Sequence, residues 1–249
     1  MLNRILRNVS SRLGPDARRR VRALTDPLLG PLGSIRSAAN ASDAVALTFD
    51  DGPDPEVTPR LLDLLAARGV KASFFVLTDK AAAQRPLIAR MIAEGHEVGL
   101  HCDRHDRLTL LPVQQVRQRL AAARDALAAL TGKPVRLFRP PYGAQSLATF
   151  FVARSLGLQV VVWGPIAEDW VEQAPAEAAD RAVGASRGGD IVLLHDGLEI
   201  PEGEIAPRFD RVEMVRLILD GLAARGLRAV PVGSLIESAG ARRTAWFRG

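Results

Sequence analysis

After Ser42, short runs of β-branched and apolar residues alternate with stretches whose apolar residues recur at helical spacing. This alternation narrows the possible folds more than any other feature of the chain. The first kind of run is found at Ala44–Phe49, Ala72–Leu77, Glu97–Leu100, Leu137–Arg139, Gln159–Trp163, Ile191–His195 and Ala229–Val232. Helical patterns fall between them near Glu56–Arg68, Arg85–Glu94, Val113–Leu130, Leu147–Leu156, Ala176–Ser186 and Arg211–Arg225. Strands separated by helices run parallel, so an α/β fold is expected, its seven-stranded sheet open or closed into a barrel. With 249 residues, 47% of them hydrophobic and 24% charged, the chain has material for one large core and is unlike a disordered or coiled-coil chain. Apolar runs such as Leu156–Trp163 are interrupted well short of a membrane span.

Charge is unevenly placed. Residues 1–40 hold eight arginines, no lysine and two acids, a net of +6, while 25 basic and 26 acidic groups leave residues 41–249 at −1. Leu2, Ile5, Leu6, Val9 and Leu13 recur at helical spacing with Arg4, Arg7 and Arg12 between them, and Pro27–Gly33 reads as a hinge. The expected division is therefore an arm, 1–40, and a body, 41–249. Such an arm suits an anionic membrane surface, non-specific contact with nucleic acid, or docking on the body with its arginines solvated. A neutral body offers no basic face, so no specific nucleic-acid partner is expected. Cys102 is the single cysteine and cannot form an internal disulfide. The basic N-terminus has neither the apolar core nor the cleavage site of a signal peptide. The expected location is the cytoplasm, with peripheral contact at the inner membrane face where the arm serves as an anchor.

Parallel α/β folds place their chemistry at the C-terminal ends of strands, and five segments here put polar residues there. Asp50 and Asp51 follow the first strand, where two adjacent carboxylates either require a cation or arginine, or belong to an Asp-Asp-Gly turn capping the next helix. His101 and His105 follow the third strand and converge on one metal if the turn between them is helical; otherwise they are unrelated surface histidines. Asp51, His101 and His105 together would supply one carboxylate and two imidazoles, leaving open positions for water and substrate. The same donor set also serves non-haem iron oxygenases. Arg139 precedes Pro140-Pro141-Tyr142-Gly143, either a carboxylate partner or part of a structural turn. Asp169-Trp170 follows the fifth strand, with Trp163 suited to packing over the rim, and His195 ends an apolar strand where it could exchange protons near neutral pH.

In this order, TFDDG, HxxxH, RPPYG, DW and LLHDG resemble the five sequence blocks of the NodB-homology polysaccharide deacetylases, carbohydrate esterase family four, from about Val45 to about Val232. The resemblance implies a distorted (β/α)7 TIM-like barrel and a metal-dependent hydrolase that removes N-acetyl groups from amino sugars. It implies that Asp51, His101 and His105 hold one divalent metal, Zn2+ first, with Co2+ or Ni2+ suited to the same donors. It makes Asp50 the general base, Arg139 the residue that orients it, and the Tyr142 N–H a donor to the oxyanion. His195 becomes the general acid and Asp169 the carboxylate that keeps it charged. Trp170, Leu193 and Pro141 are then expected to line the substrate pocket.

Two positions depart from the family pattern. Cys102 stands where Ser or Thr is usual, which replaces a hydroxyl by a weaker hydrogen-bonding thiol. Ile166 stands three residues before Asp169, where an acid is common. No position assigned to chemistry is lost. The alternatives are a deformylase acting on a lipid-linked amino sugar and a silent, sugar-binding member of the same fold. Family substrates include peptidoglycan, chitin, xylan, chitooligosaccharides and lipid-linked sugars. A chain without a signal peptide is expected to meet a cytoplasmic oligosaccharide or lipid-linked precursor.

Overall fold

The central apolar runs, at 44–50 and 73–77, have neighbours on both sides in the sheet, so they are buried throughout and fold as parallel strands. The computed structural model describes residues 33–41, 43–200, 203 and 205–247. Strands β1 (Ser34–Ala38), β2 (Ala44–Asp50), β3 (Ser73–Leu77), β4 (Glu97–Cys102), β5 (Leu137–Phe138), β6 (Gln159–Val160), β7 (Ile191–His195), β8 (Arg228–Val230) and β9 (Ala241–Thr244) are joined largely by helices. These are α1 (Val57–Ala67), α2 (Thr78–Ala83), α3 (Arg85–Ala93), α4 (Val113–Thr131), α5 (Leu147–Ser155), α6 (Pro175–Ala185), α7 (Arg211–Ala224) and α8 (Val232–Ala239). The helices form where the sequence places apolar residues on one face. In α4, Val116, Leu120, Ala123 and Leu127 are buried along a single stripe, and the helix stops at Gly132, whose φ of 66° suits glycine.

All seven expected strands are present, in the order β6-β5-β4-β3-β2-β7, with β8 pairing with β2. Ala46 pairs with Ile191 on one edge and Val230 on the other, so β8 shares with β3 the second edge of β2. No continuous ladder closes the sheet into the expected barrel between β6 and β7. The gap is spanned by single bridges: Ile166 with Leu193 directly, and through β1 by Ile35 with Val161 and Ser37 with Asp190. Hydrogen bonds from Gly164 N to Ile191 O (2.9 Å) and from Leu193 N to Pro165 O (3.0 Å) stitch the gap. The expected strand to Trp163 ends at Val160 because Gly164 and Pro165 break the extended run. Val232 begins α8 instead of ending a strand.

Period-two alternation divides each central strand between two cores. Val45, Leu47 and Phe49 join the outer cluster beneath the helices, together with Leu100, Cys102, Val192 and Leu194. Ala44, Ala46 and Ile191 turn the other way, into a smaller cluster with Phe75 and Leu137, filled from below by Ile35, Val232 and Leu235. Ser34–Ala38, grouped above with the arm, is thus part of the body: β1 pairs antiparallel with β9, and Ile35 is fully buried. The rest of the arm, residues 1–32, and with it the expected membrane contact, lies outside the described residues. Among the described residues no helix is long and apolar enough to cross a membrane.

The turns after β2 and β7 touch backbone to backbone. A Cβ on Gly52 would meet the Asp196 carboxylate at 2.0 Å, and one on Gly197 would meet Asp51 O at 2.5 Å. Gly197→Ala should therefore destabilise the protein by about 1–3 kcal/mol, because neither side of the contact has room to relax. Urea denaturation of the variant measures this, and an unchanged midpoint would show that the two turns are not in contact.

Candidate active site

The inward positions of β2, β4 and β7 continue upward as polar residues. Thr48 and Asp50 follow Ala46, His101 lies between outward-facing Leu100 and Cys102, and Leu193 and His195 follow Ile191. They meet at a cavity of about 370 Å³ whose walls include Asp50, Asp51, His101, His105, Leu193 and His195.

Asp51, His101 and His105 bring three ligand atoms within 4.8 Å of one another. Asp51 Oδ1 lies 3.1 Å from His101 Nε2 and 3.4 Å from His105 Nε2. It is buried and has no hydrogen-bond partner, as expected of an oxygen aimed at a cation. His101 Nδ1 lies 2.8 Å from the carbonyl oxygen of Arg139, which fixes Nδ1 as the protonated nitrogen and turns the Nε2 lone pair toward the triad. Burial, against the pull of Asp51, lowers the pKa of His105 to about 4, so its ring is neutral and can ligate at pH 7. Burial would raise the Asp51 carboxyl, but the adjoining His101 ring, with His195 and His105, holds it well below the usual range. These residues fit a divalent metal.

Convergence does not come from a helical turn, as the His101/His105 spacing had required. His101 sits in a strand, at a bulge where the β3–β4 register skips from Val76/Leu100 to Leu77/Cys102, and Cys102 takes a φ of 115°. The bulge re-aims the chain so that His105 returns over the cavity from a loop. Cys102 itself points into the outer core, and its Sγ lies 3.0 Å from Asp103 Oδ1. Burial pushes its thiol up to about 12, so it is neither ligand nor nucleophile.

Asp50 and Asp51 do not cap α1. Asp54 does so, accepting from Glu56 N and Val57 N at 2.9 and 2.8 Å. Asp50 is instead held by Arg139, whose Nη1 donates to Asp50 Oδ1 at 2.6 Å and to Thr48 Oγ1 at 2.8 Å. Arg139 is completely buried, with its guanidinium 4.1 Å from the centre of the Phe75 ring. On the neighbouring strand, His195 donates its backbone N–H to the Asp169 carboxylate at 2.7 Å, and its Nδ1 lies 2.8 Å from the same carboxylate. That leaves Nε2 to face the cavity. Burial is the largest single influence on His195 and lowers its pKa. The Asp169 ion pair, with Asp51 and Asp50 nearby, outweighs burial and raises it to about 9.

Tyr142 stands at a φ of 58° in the turn Pro141–Gly143, and its ring lies 4.1 Å from that of His105. Trp170 meets His195 edge-on at 5.5 Å, and Leu193 and Trp170 both line the cavity. Pro141 is not among the lining residues: it is buried, and Tyr142 and Gly143 form the wall at that point. The four non-glycine residues with positive φ among those described are Asp51, Cys102, Tyr142 and Glu168, each at the site or next to one of its residues.

Several contributors escape sequence reasoning. Lys80 on α2 donates to Asp51 O at 2.9 Å and pairs with Glu199, which lines the cavity, at 2.5 Å. Trp246 Nε1 donates to Gly143 O at 3.0 Å and braces the Tyr142 turn. Nothing in the spacing of either residue marks it. Arg107 also lines the cavity, and its place two residues after His105 was the available signal.

Residues 37–161 match the family described as polysaccharide deacetylase. The chitooligosaccharide deacetylase of Sinorhizobium fredii (strain NBRC 101917 / NGR234) is 34% identical over 206 residues, covering 80% of this chain and 96% of that one. The peptidoglycan-N-acetylglucosamine deacetylase PgdA of Listeria monocytogenes is 37% identical over 158 residues, 64% of this chain. The match covers 33% of that relative, so the chain spans about a third of its length. In structure, the Bc1960 peptidoglycan N-acetylglucosamine deacetylase in complex with 4-naphthalen-1-yl-N-oxidanyl-benzamide superposes with a TM-score of 0.76 at 27% identity. That superposition covers 88% of this chain and 98% of that one.

The triad geometry predicts one divalent ion per chain. His101→Ala and His105→Ala should each lower metal affinity by about 10-fold or more. Metal analysis after dialysis reads this directly, and full occupancy in both variants would remove the triad from metal binding.

Proposed function

Because the chain belongs to the polysaccharide deacetylase family, we propose that it is a metal-dependent hydrolase that removes the N-acetyl group from an amino sugar, releasing acetate and a free amine. One observation carries the reading. Asp50, clamped by Arg139, adjoins the Asp51-His101-His105 triad, and His195, its partner on the neighbouring strand, lines the same cavity. A base, a metal-binding triad and an acid around one cavity are the parts that amide hydrolysis needs.

A divalent ion held by Asp51, His101 and His105, Zn2+ first and Co2+ or Ni2+ with the same donors, would polarise the amide carbonyl and make bound water more acidic. Asp50 takes the proton of the attacking water, and the Arg139 ion pair holds its carboxylate turned inward. The Tyr142 N–H donates to the oxygen that gains negative charge as the carbonyl carbon becomes tetrahedral. His195 then delivers a proton from Nε2 to the departing nitrogen. Its two hydrogen bonds to Asp169 hold the ring in place and favour the charged form that this step requires. Leu193 and the edge of Trp170 provide an apolar wall for the acetyl methyl group. Substrates of the named relatives, chitooligosaccharide and peptidoglycan, define the class to test first.

The test is acetate release by the metal-loaded protein from a panel of N-acetylated amino sugars. Asp50→Asn should keep the metal and lose about 10²–10⁴-fold in kcat; a near-normal rate would take the role of base from Asp50. The acid form of His195 is present below its raised pKa of about 9 and lost as pH rises through that value. Wild-type activity should therefore fall on the alkaline side. Asp169→Asn removes the charge that raises the pKa, so its alkaline limb should move to lower pH, and superimposable profiles would exclude His195 as the acid.

A further inference from the structure

The cavity has one wall that the deacetylation chemistry does not use. Arg107 lies on the loop that brings His105 back over the site, and its guanidinium carbon sits 4.3 Å from the centre of the Tyr142 ring. That ring lies in turn against His105, tilted at 46° with ring centres 4.1 Å apart. The order His105, Tyr142, Arg107 leads from a metal ligand outward along the wall, so Arg107 stands beside the space a sugar fills while its acyl group reaches the triad. Among the cavity-lining residues it is the sole lysine or arginine.

Its surroundings leave its charge available. The carboxylates nearest it in the loop, Asp103 and Asp106, are both taken by Arg119, at 2.6 and 2.8 Å. Arg104 turns away toward Asp79, at 3.5 Å. Across the cavity, Glu199 is held by Lys80. No carboxylate among the described residues forms an ion pair with Arg107. The Tyr142 ring lies against the guanidinium, which no carboxylate holds, so its N–H donors are open to a ligand. A guanidinium resting on an aromatic ring gives up less freedom on binding than one free in solvent, and its fork of donors matches the paired oxygens of a carboxylate or phosphate.

We infer that Arg107, held on Tyr142, forms a subsite for an anionic group, carboxylate or phosphate, carried on or next to the N-acetylated sugar. Resting on the deacetylase reading, this adds a substrate preference: an acidic amino-sugar compound over a neutral one.

The experiment compares kcat/KM of the metal-loaded protein on three sugars. They are neutral N,N′-diacetylchitobiose, a disaccharide of N-acetylglucosamine and N-acetylmuramic acid bearing a carboxylate, and N-acetylglucosamine 1-phosphate. Wild type should favour at least one anionic sugar over the neutral one, and which of the two identifies the source of the anion. Arg107→Met keeps an unbranched side chain on the Tyr142 ring without charge, and should lower the anionic-to-neutral ratio by about 10-fold or more, chiefly through KM. Arg107→Lys should restore part of it, and added salt should erode the wild-type preference. A ratio unchanged in Arg107→Met, or an equal loss on all three sugars, would overturn the subsite and leave the deacetylase reading standing. Should wild type release acetate from none of them, the deacetylase reading fails. Calorimetric titration of the same sugars into wild type and Arg107→Met then decides the subsite, which stands only if wild type binds an anionic sugar more tightly and the variant does not.

Discussion

Asp50 and His195 occupy one rung of the parallel ladder between β2 and β7. That pairing fixes the rest of the site. A parallel ladder advances in steps of one residue, and a slip by one would turn Asp50 into the outer core and bring Phe49 inward. The rungs below, Leu47 with Val192 and Phe49 with Leu194, bury their side chains under the helices and hold the register through apolar packing. Above it the two strands end together, and glycines at 52 and 197 let their turns meet without side chains between them. Asp51 is set by the same contact, since its carbonyl packs against Gly197.

The charges around this rung, Asp50, Arg139 and Asp169, are buried. A buried ion pair returns its desolvation cost only when its geometry is good and its remaining hydrogen-bonding groups are partnered. Arg139 meets the first condition at 2.6 Å from Asp50 and not the second: its Nε and Nη2 have no partner among the described residues. The pair is therefore a weak source of stability. What it provides is direction, a carboxylate that cannot rotate away from the cavity. Asp169 acts in the same way on His195, and being wholly buried it offers no alternative partner in solvent.

Sequence exposed the features that repeat or that end a pattern. Seven strands and six helices were legible because continuous apolar runs and helical spacings are written directly in the sequence, and the polar ends of those strands marked Asp50, Asp51, His101, Arg139 and His195. Features that depend on residues distant in the chain were not legible. The strand Ser34–Ala38 looked like the tail of a basic arm because its partner, Ala241–Thr244, lies some two hundred residues away and carries two arginines of its own. The seam between β6 and β7 depends on isolated bridges that leave no periodic trace. His101 and His105 were paired correctly for the wrong geometric reason. Their spacing invites a helix, whereas a bulge joins them, and a bulge is a relation between two strands. The family resemblance placed Pro141 on the cavity wall, yet it is buried and Tyr142 takes the exposed position.

The left-handed backbone at Asp51, Cys102, Tyr142 and Glu168 has a bearing on how this chain could change over evolutionary time or on the bench. Such a conformation costs a non-glycine residue about 1–3 kcal/mol, a sizeable fraction of the net stability of a typical domain. Glycine would relieve it at any of the four. At Asp51 and Tyr142 the exchange would delete a carboxylate of the triad or the ring on which Arg107 lies. At Cys102 it would open a hole in the outer core. Glu168 is different: its side chain makes one half-exposed pair with Arg181, and its carbonyl contact to Gln173 belongs to the backbone and would survive. Heat tolerance in this barrel can thus be raised one residue away from Asp169, at a position where selection for activity has little to hold on to.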